Sequence, residues 1–185
     1  MRITQEFVVS RSPDTVWEFF QDMHSVAQCL PGAELMGQSP DGSYEGSLSV
    51  RLGPMTAIFE GMATVAADPV ARRASIEGKG VDKKGGSRGQ VKVDYSVIPS
   101  GAADSSVTVD ADVTLSGPAA QFGRTGLINE MSRRLIGDFV ACLEAKLAAP
   151  TEAEADSIKA PQVRGLSLFF SSLWAAIKRL FSGRA

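Results

Sequence analysis

Acid–base, nucleophilic or metal chemistry requires histidines, cysteines, carboxylates or a phosphate-binding loop at workable spacing, and this 185-residue chain offers few. Its single histidine, His24, cannot form a two-histidine relay or a His-based metal cluster, and a surface or capping role is expected for it. Cys29 and Cys142 stand far apart without a C-x-x-C spacing, so each is expected to be a buried, unbonded structural residue. Asp110 and Asp112 alternate with valines, which places both on one strand face, the solvated one, and makes them a poor acid–base pair. The segment 78–89 (GKGVDKKGGSRG) is the one stretch that resembles a phosphate cradle. It lacks the GxxxxGK[ST] spacing and no helix follows it. A flexible hairpin is expected there, with a basic gate or a partner-docking loop as the alternative. The chain is thus expected to carry rather than convert: no enzyme, no catalytic residue, no metal and no covalent cofactor.

The element that must organise such a carrier is the segment 118–147, which reads as one long amphipathic helix. Pro118 suits a helix start, where no N–H is needed. Ile128, Met131, Leu135, Phe139 and Leu143 recur at spacings of three and four, with Glu130, Arg133, Arg134 and Glu144 on the far side. At about 1.5 Å per residue it would extend roughly 45 Å, longer than a small sheet is wide, so it should lie across the sheet as a lid.

Residues 2–9 read as an opening strand. Ser12-Pro13 then caps a short helix carrying Val16, Trp17, Phe19 and Phe20, and a second short helix at 25–30 ends at Pro31-Gly32. Six strands follow, near 33–38, 43–52, 55–67, 71–80, 88–99 and 105–115, divided by Pro/Gly/Asp turn signals. Connections this short imply antiparallel hairpins. The order predicts an α+β domain in which a curved antiparallel sheet of about seven strands wraps a long C-terminal helix. Ala57, Gly61, Ala63, Ala74, Gly78 and Gly80 are candidates for inward or bending positions, small enough to leave a cavity.

Residues 149–163 read as a polar, proline-flanked linker too poor in apolar residues to order itself. Beyond it the tail 164–185 carries four basic residues (Arg164, Lys178, Arg179, Arg184) and no acidic one, while the whole chain has a net charge of −2. On a helical wheel Leu166, Phe169, Phe170, Leu173, Trp174, Ile177, Leu180 and Phe181 share one face, and Lys178 and Arg179 take the other. Its apolar part is too short to span a bilayer, which needs about twenty residues. It is built to lie in a membrane interface or in a partner's groove, with packing onto its own domain as the alternative. The balance gives no support to nucleic-acid binding. With two cysteines and no leader-like apolar run, a cytoplasmic protein held at the inner face of the cell membrane is expected.

The ordered set Val16-Trp17-Glu18-Phe19-Phe20, Cys29-Leu30-Pro31-Gly32, Gly53-Pro54 with Phe59-Glu60-Gly61, Gly85-Gly86-Ser87-Arg88-Gly89, and Leu115-Ser116-Gly117-Pro118 before Gln121-Phe122-Gly123 resembles the CoxG family of carbon monoxide dehydrogenase subunits. That family lies within the START/Bet v1-like (SRPBCC) superfamily of helix-grip folds, and the likeness covers residues 1–148. It implies a helix-grip domain with a hydrophobic cavity, associated with molybdenum-containing CO dehydrogenases and their membrane attachment. Family members look like carriers of a lipophilic quinone of menaquinone or ubiquinone type.

For such a ligand, alternation nominates Phe7, Leu30, Leu48, Val50, Phe59 and Tyr95 as lining residues, with Val109, Phe122, Leu127, Met131 and Leu135 completing the set. Ordinary core packing is the competing role for each, and a one-residue register slip would turn a strand's set outward. A ligand-free recruitment adaptor is the second reading. An enzyme acting in the same cavity is the third.

Overall fold

The computed structural model describes residues 1–52, 55–124 and 127–161. Strand β1 (Arg2–Val9) is followed by helices α1 (Pro13–Gln21) and α2 (Met23–Cys29), then by β2 (Ala33–Gln38), β3 (Tyr44–Leu52), β4 (Met55–Asp68), β5 (Arg73–Asp82), β6 (Ser87–Pro99) and β7 (Ser105–Ser116). These strands form one antiparallel sheet in the order β1-β7-β6-β5-β4-β3-β2. The chain therefore meanders from β2 to β7, and β1 completes the sheet beside β7.

The local reasons are visible at the helix starts. Ser12 caps α1, its hydroxyl accepting from the Thr15 amide at 3.3 Å, and Pro13 takes the first helical position. Asp22 caps α2, accepting from the amides of His24 at 3.0 Å and Ser25 at 3.3 Å. Partial burial opposes its charge, but the hydrogen bonds from Ser25 and His24 outweigh that and hold its carboxyl below the ordinary value.

The main core cluster lies at one end of the sheet, with Leu52, Ala57 and Ala119 buried apart from it. Val9, Val97 and Val107 are buried there beneath Val16, Trp17, Phe19 and Phe20 of α1 and Phe139, Cys142 and Leu143 of the terminal helix. Phe20 links the layers, its ring centroid 4.8 Å from Tyr95 and 5.8 Å from Phe139.

Three expectations are corrected. The helix expected over 118–147 is divided: a 3-10 helix, Gly117–Arg124, precedes α3 (Leu127–Ala148), which at 22 residues is about 33 Å long. Ala119, Ala120 and Phe122 do not continue the stripe of α3, and the Ala119 amide donates instead to the Ser87 hydroxyl at 3.0 Å. Gly117, at φ +73°, lies against the Gly86 carbonyl, where a Cβ would come within 2.5 Å of that oxygen.

Secondly, Cys29 and Cys142 are bonded to each other, their Cα atoms 5.3 Å apart. The pairing ties α2 to α3 and removes the ground for expecting a reducing compartment. Thirdly, the segment that reads as a linker too polar to order itself contains a helix, α4 (Glu152–Ser157), capped by Thr151. The Ala160 amide then donates to the Gln28 carbonyl at 2.9 Å, and Ala160 is buried. Lys146, itself buried, donates to the Gln28 side chain and to the Ala155 carbonyl. Its desolvation lowers its pKa, although Asp156 and Asp22 work the other way. Composition does not reveal these contacts because they satisfy backbone groups rather than bury large side chains.

Candidate functional site: a half-covered apolar trough

Alternation sends one side chain in two of every strand to the concave face. In register, these form rows across the sheet. Phe7–Val107–Val97 lies under the core, and Gln5–Val109–Tyr95–Ala74 follows it. Beyond come Ile3–Ala111–Val93–Ile76–Val65, then Val113–Val91–Gly78–Ala63–Tyr44. The next row is Leu115–Gly89–Gly80–Gly61–Gly46–Leu35.

Coverage changes along these rows. Val97 and Val107 are buried, whereas Val91, Val93, Ala111, Val113 and Leu115 are only half-buried although they face the same side. The terminal helix shows the same gradient. Phe139, Cys142, Leu143 and Lys146 in its C-terminal half are buried, while Met131, Leu135 and Ile136 are half-buried. The inner face is thus covered beneath the aromatic cluster and only half-covered toward the glycine row, an apolar trough. Apolar surface left in one contiguous strip marks a binding surface more often than an accident of packing.

The eleven nominated lining residues fall in different places. Leu48, Val50 and Phe59 face inward and are half-buried at the β3–β4 side, and the Phe59 ring lies 3.4 Å from where a Gly89 Cβ would stand. Phe7 and Val109 are half-buried against the core, while Met131 and Leu135 are half-buried and, at spacings of four, share the face of α3 that carries the buried Phe139 and Leu143. Tyr95 is instead inside the aromatic cluster, 5% exposed, with its hydroxyl accepting from Gln21 at 3.4 Å. Leu30 caps the end of α2 and Phe122 belongs to the 3-10 helix, both half-buried. Leu127 opens α3, and its side chain lies outside the described residues, as do the tail positions 166–181. Gln5, Ile76, Val91, Val93, Ala111, Val113 and Leu115 join the wall beyond the expected set, although the alternation of β1, β5, β6 and β7 could have found them.

The titratable groups of the wall are few. Burial pushes the Tyr95 phenol above its ordinary pKa, against the smaller effect of the Gln21 hydrogen bond, so it stays neutral at physiological pH. Asp82 is engaged in the β5–β6 turn, accepting from the amides of Lys84 at 3.1 Å and Gly85 at 2.9 Å. That turn is thus a side-chain-capped hairpin, with Lys83 paired to Glu60 at 3.0 Å. His24 lies on the surface beside Gln28. Among the described residues, no group of three His, Cys, Asp or Glu side chains is placed to hold a metal.

A second hollow of about 590 Å³ lies on the convex face, floored by Ser75, Asp94, Ser96, Thr108 and Asp110. Asp94 and Asp110 stand directly opposite each other there, and Arg2 approaches Asp110 at 3.7 Å. Its hydrated carboxylates suit no lipophile, so the concave trough is the candidate site.

Several solved structures share this architecture. A conserved protein from Geobacillus kaustophilus superposes with a TM-score of 0.68 at 15% identity, covering 80% of this chain and 95% of that one. The ZhuI aromatase/cyclase from Streptomyces sp. R1128 gives 0.57 at 14% identity, over 80% and 96%. A START superfamily protein from Mycobacterium smegmatis gives 0.50 at 16% identity, over 77% and 94%. At such identities these likenesses show the helix-grip fold alone. No curated protein matches the chain. The model of one family, described as the CoxG subunit of carbon monoxide dehydrogenase, matches residues 6–148, and the chain belongs to that family.

Proposed function

We propose that this chain is a non-catalytic carrier. It binds a lipophilic quinone in the trough, associates with the membrane through its basic apolar tail, and delivers the quinone to a molybdenum CO dehydrogenase-type enzyme. The observation that carries this reading is the change of coverage along one apolar wall: packed beneath Phe20 and Phe139, half-open from Val93 to Leu115. An isoprenoid chain needs only apolar contact, and covering the exposed remainder of each half-buried side chain contributes part of the roughly 1.5–3 kcal/mol that full burial of such a side chain gives. The family supports the dehydrogenase as partner. Among the described residues no helix is long and apolar enough to cross a membrane. The membrane role therefore rests on the sequence of 164–185, whose Lys178 and Arg179 would favour anionic lipid. Conversion inside the trough would need an acid–base group, and the wall offers the neutral Tyr95 phenol.

Replacing Leu135 with tryptophan tests this reading, because residue 135 lies on the sheet-facing stripe of α3 and is half-buried rather than part of the packed core. The variant is expected to bind menaquinone at least about tenfold more weakly, as judged by fluorescence titration, with an unchanged thermal midpoint. Unchanged affinity would contradict the site.

The strap that pins Ala160 to Gln28 favours a second reading, an adaptor in which the segment ahead of the tail is held against α2. Deleting 164–185 should then abolish flotation with anionic liposomes while leaving dehydrogenase capture intact. Loss of both would make the tail the enzyme-docking element.

A further inference from the structure

On β1, β7 and β6 the inward positions from the core row to the glycine row are apolar except at Gln5, on the edge strand, and at Tyr95, whose hydroxyl is taken by Gln21. Gln5 belongs to the inward set of β1, between Ile3 and Phe7, and pairs with Val109. Its neighbours Thr4 and Glu6 take the water-facing side, where Thr4 donates to Asp110 and Glu6 accepts from Ser106. The Gln5 side chain is half-buried and makes no hydrogen bond with any described residue. A valine there would match Val109 and bury apolar surface. The amide instead keeps contact with solvent and holds no partner within the described chain, which leaves its donor and acceptor free for a ligand.

Its position is equally specific. On one side lies the closed row Phe7–Val107–Val97, and on the other the half-open row Ile3–Ala111–Val93. Gln5 therefore stands at the seam where packed core gives way to trough. From its partner Val109 the wall runs six residues along β7 to Leu115, about 20 Å, with inward side chains that are all aliphatic. A molecule with one polar end and a long apolar chain fits that sequence of surfaces, head at the seam and chain toward the glycine row.

We propose that Gln5 is the polar anchor that orients the ligand head, and that it serves both redox forms of a quinone. This rests on the carrier reading of the trough. A carboxamide holds a donor and an acceptor on one rotatable group. Its Nε2–H can donate to the carbonyl oxygen of an oxidised quinone. After rotation about its last torsion, its Oε1 can accept from the hydroxyl of the reduced quinol. A carrier that brings one form and removes the other needs such indifference. Neither an aspartate nor a lysine would give it.

The test compares parent, Gln5→Leu and Gln5→Glu proteins with three probes: a short-chain ubiquinone, its quinol under anaerobic conditions, and squalene as a headless hydrocarbon. Gln5→Leu should weaken quinone and quinol alike, by about five- to tenfold, and leave squalene unchanged. Gln5→Glu, ionised and without an N–H, should weaken the quinone while holding the quinol near parental affinity. Equal binding of all three probes by parent and Gln5→Leu overturns the anchor, as does a parallel loss of squalene, which would mark a packing defect. A parent that binds squalene but neither quinone form also overturns it. A parent that binds none of the three removes the carrier reading, and the anchor falls with it.

Discussion

Replacing Gly61 with valine is expected to prevent the domain from folding. Gly61 is one of four glycines aligned across neighbouring strands, Gly46–Gly61–Gly80–Gly89, on the concave face. A Cβ at Gly61 would run into the Lys79 carbonyl oxygen and stand 2.7 Å from the Gly80 Cα. Both are backbone atoms of the adjacent strand, so no rotamer change relieves the clash and the β4–β5 ladder must open. Glycines aligned in this way let adjacent strands approach closely and the sheet curve. The remaining space is used: at Gly80 a Cβ would meet the Phe59 Cβ at 2.9 Å, and at Gly89 the Phe59 ring at 3.4 Å. The expected loss exceeds about 4 kcal/mol, the range of exceptional substitutions. Denaturant unfolding followed by circular dichroism measures it. Gly37→Ala is the control, since nothing lies within 4 Å of its Cβ position, and should change stability by no more than about 0.5 kcal/mol. A Gly61→Val protein with the parental midpoint would contradict this close approach of β4 and β5.

The second large effect concerns the cysteine bond. Cys29 and Cys142 close a loop with a sequence separation of 113, and a loop of that order contributes roughly 4–5 kcal/mol through the unfolded chain. Cys29→Ala, or reduction, should lower the unfolding free energy by about 3–5 kcal/mol in urea titrations. Thiol labelling of the folded parent should find no free cysteine. Two reactive thiols in the native protein would contradict the pairing. The bond also bears on function. It fixes the C-terminal half of α3 to α2 beside the buried Phe139 and Leu143, whereas Met131 and Leu135 lie half-buried in its N-terminal half. Entry of a ligand at that end would leave the aromatic cluster undisturbed.

Much of this fold is legible in the chain because its strands alternate and its turns carry Gly, Pro and Asp. The seven strands lie within two residues of the bounds that alternation predicts, and Ser12-Pro13 begins α1 as capping chemistry requires. What is not legible depends on distance or register. The Cys29–Cys142 bond joins residues whose proximity only the packing of α2 on α3 creates. The glycine row appears only when Gly46, Gly61, Gly80 and Gly89 are aligned across strands. The 3-10 segment is hidden by the apparent continuity of apolar residues through Phe122, and the Ala160 strap by the polarity of its surroundings. Tyr95 shows the limit for the site. Alternation turns it inward, but only the aromatic neighbours Trp17 and Phe20 reveal that it belongs to the core.

The most direct test of the carrier reading is native mass spectrometry, with lipid extraction, of the full chain purified from a quinone-producing host. The account predicts a protein carrying one quinone at near-stoichiometric occupancy, with the adduct lost in Leu135→Trp. A protein that is empty from such a host, yet still binds liposomes and its dehydrogenase, would contradict the carrier and leave the adaptor.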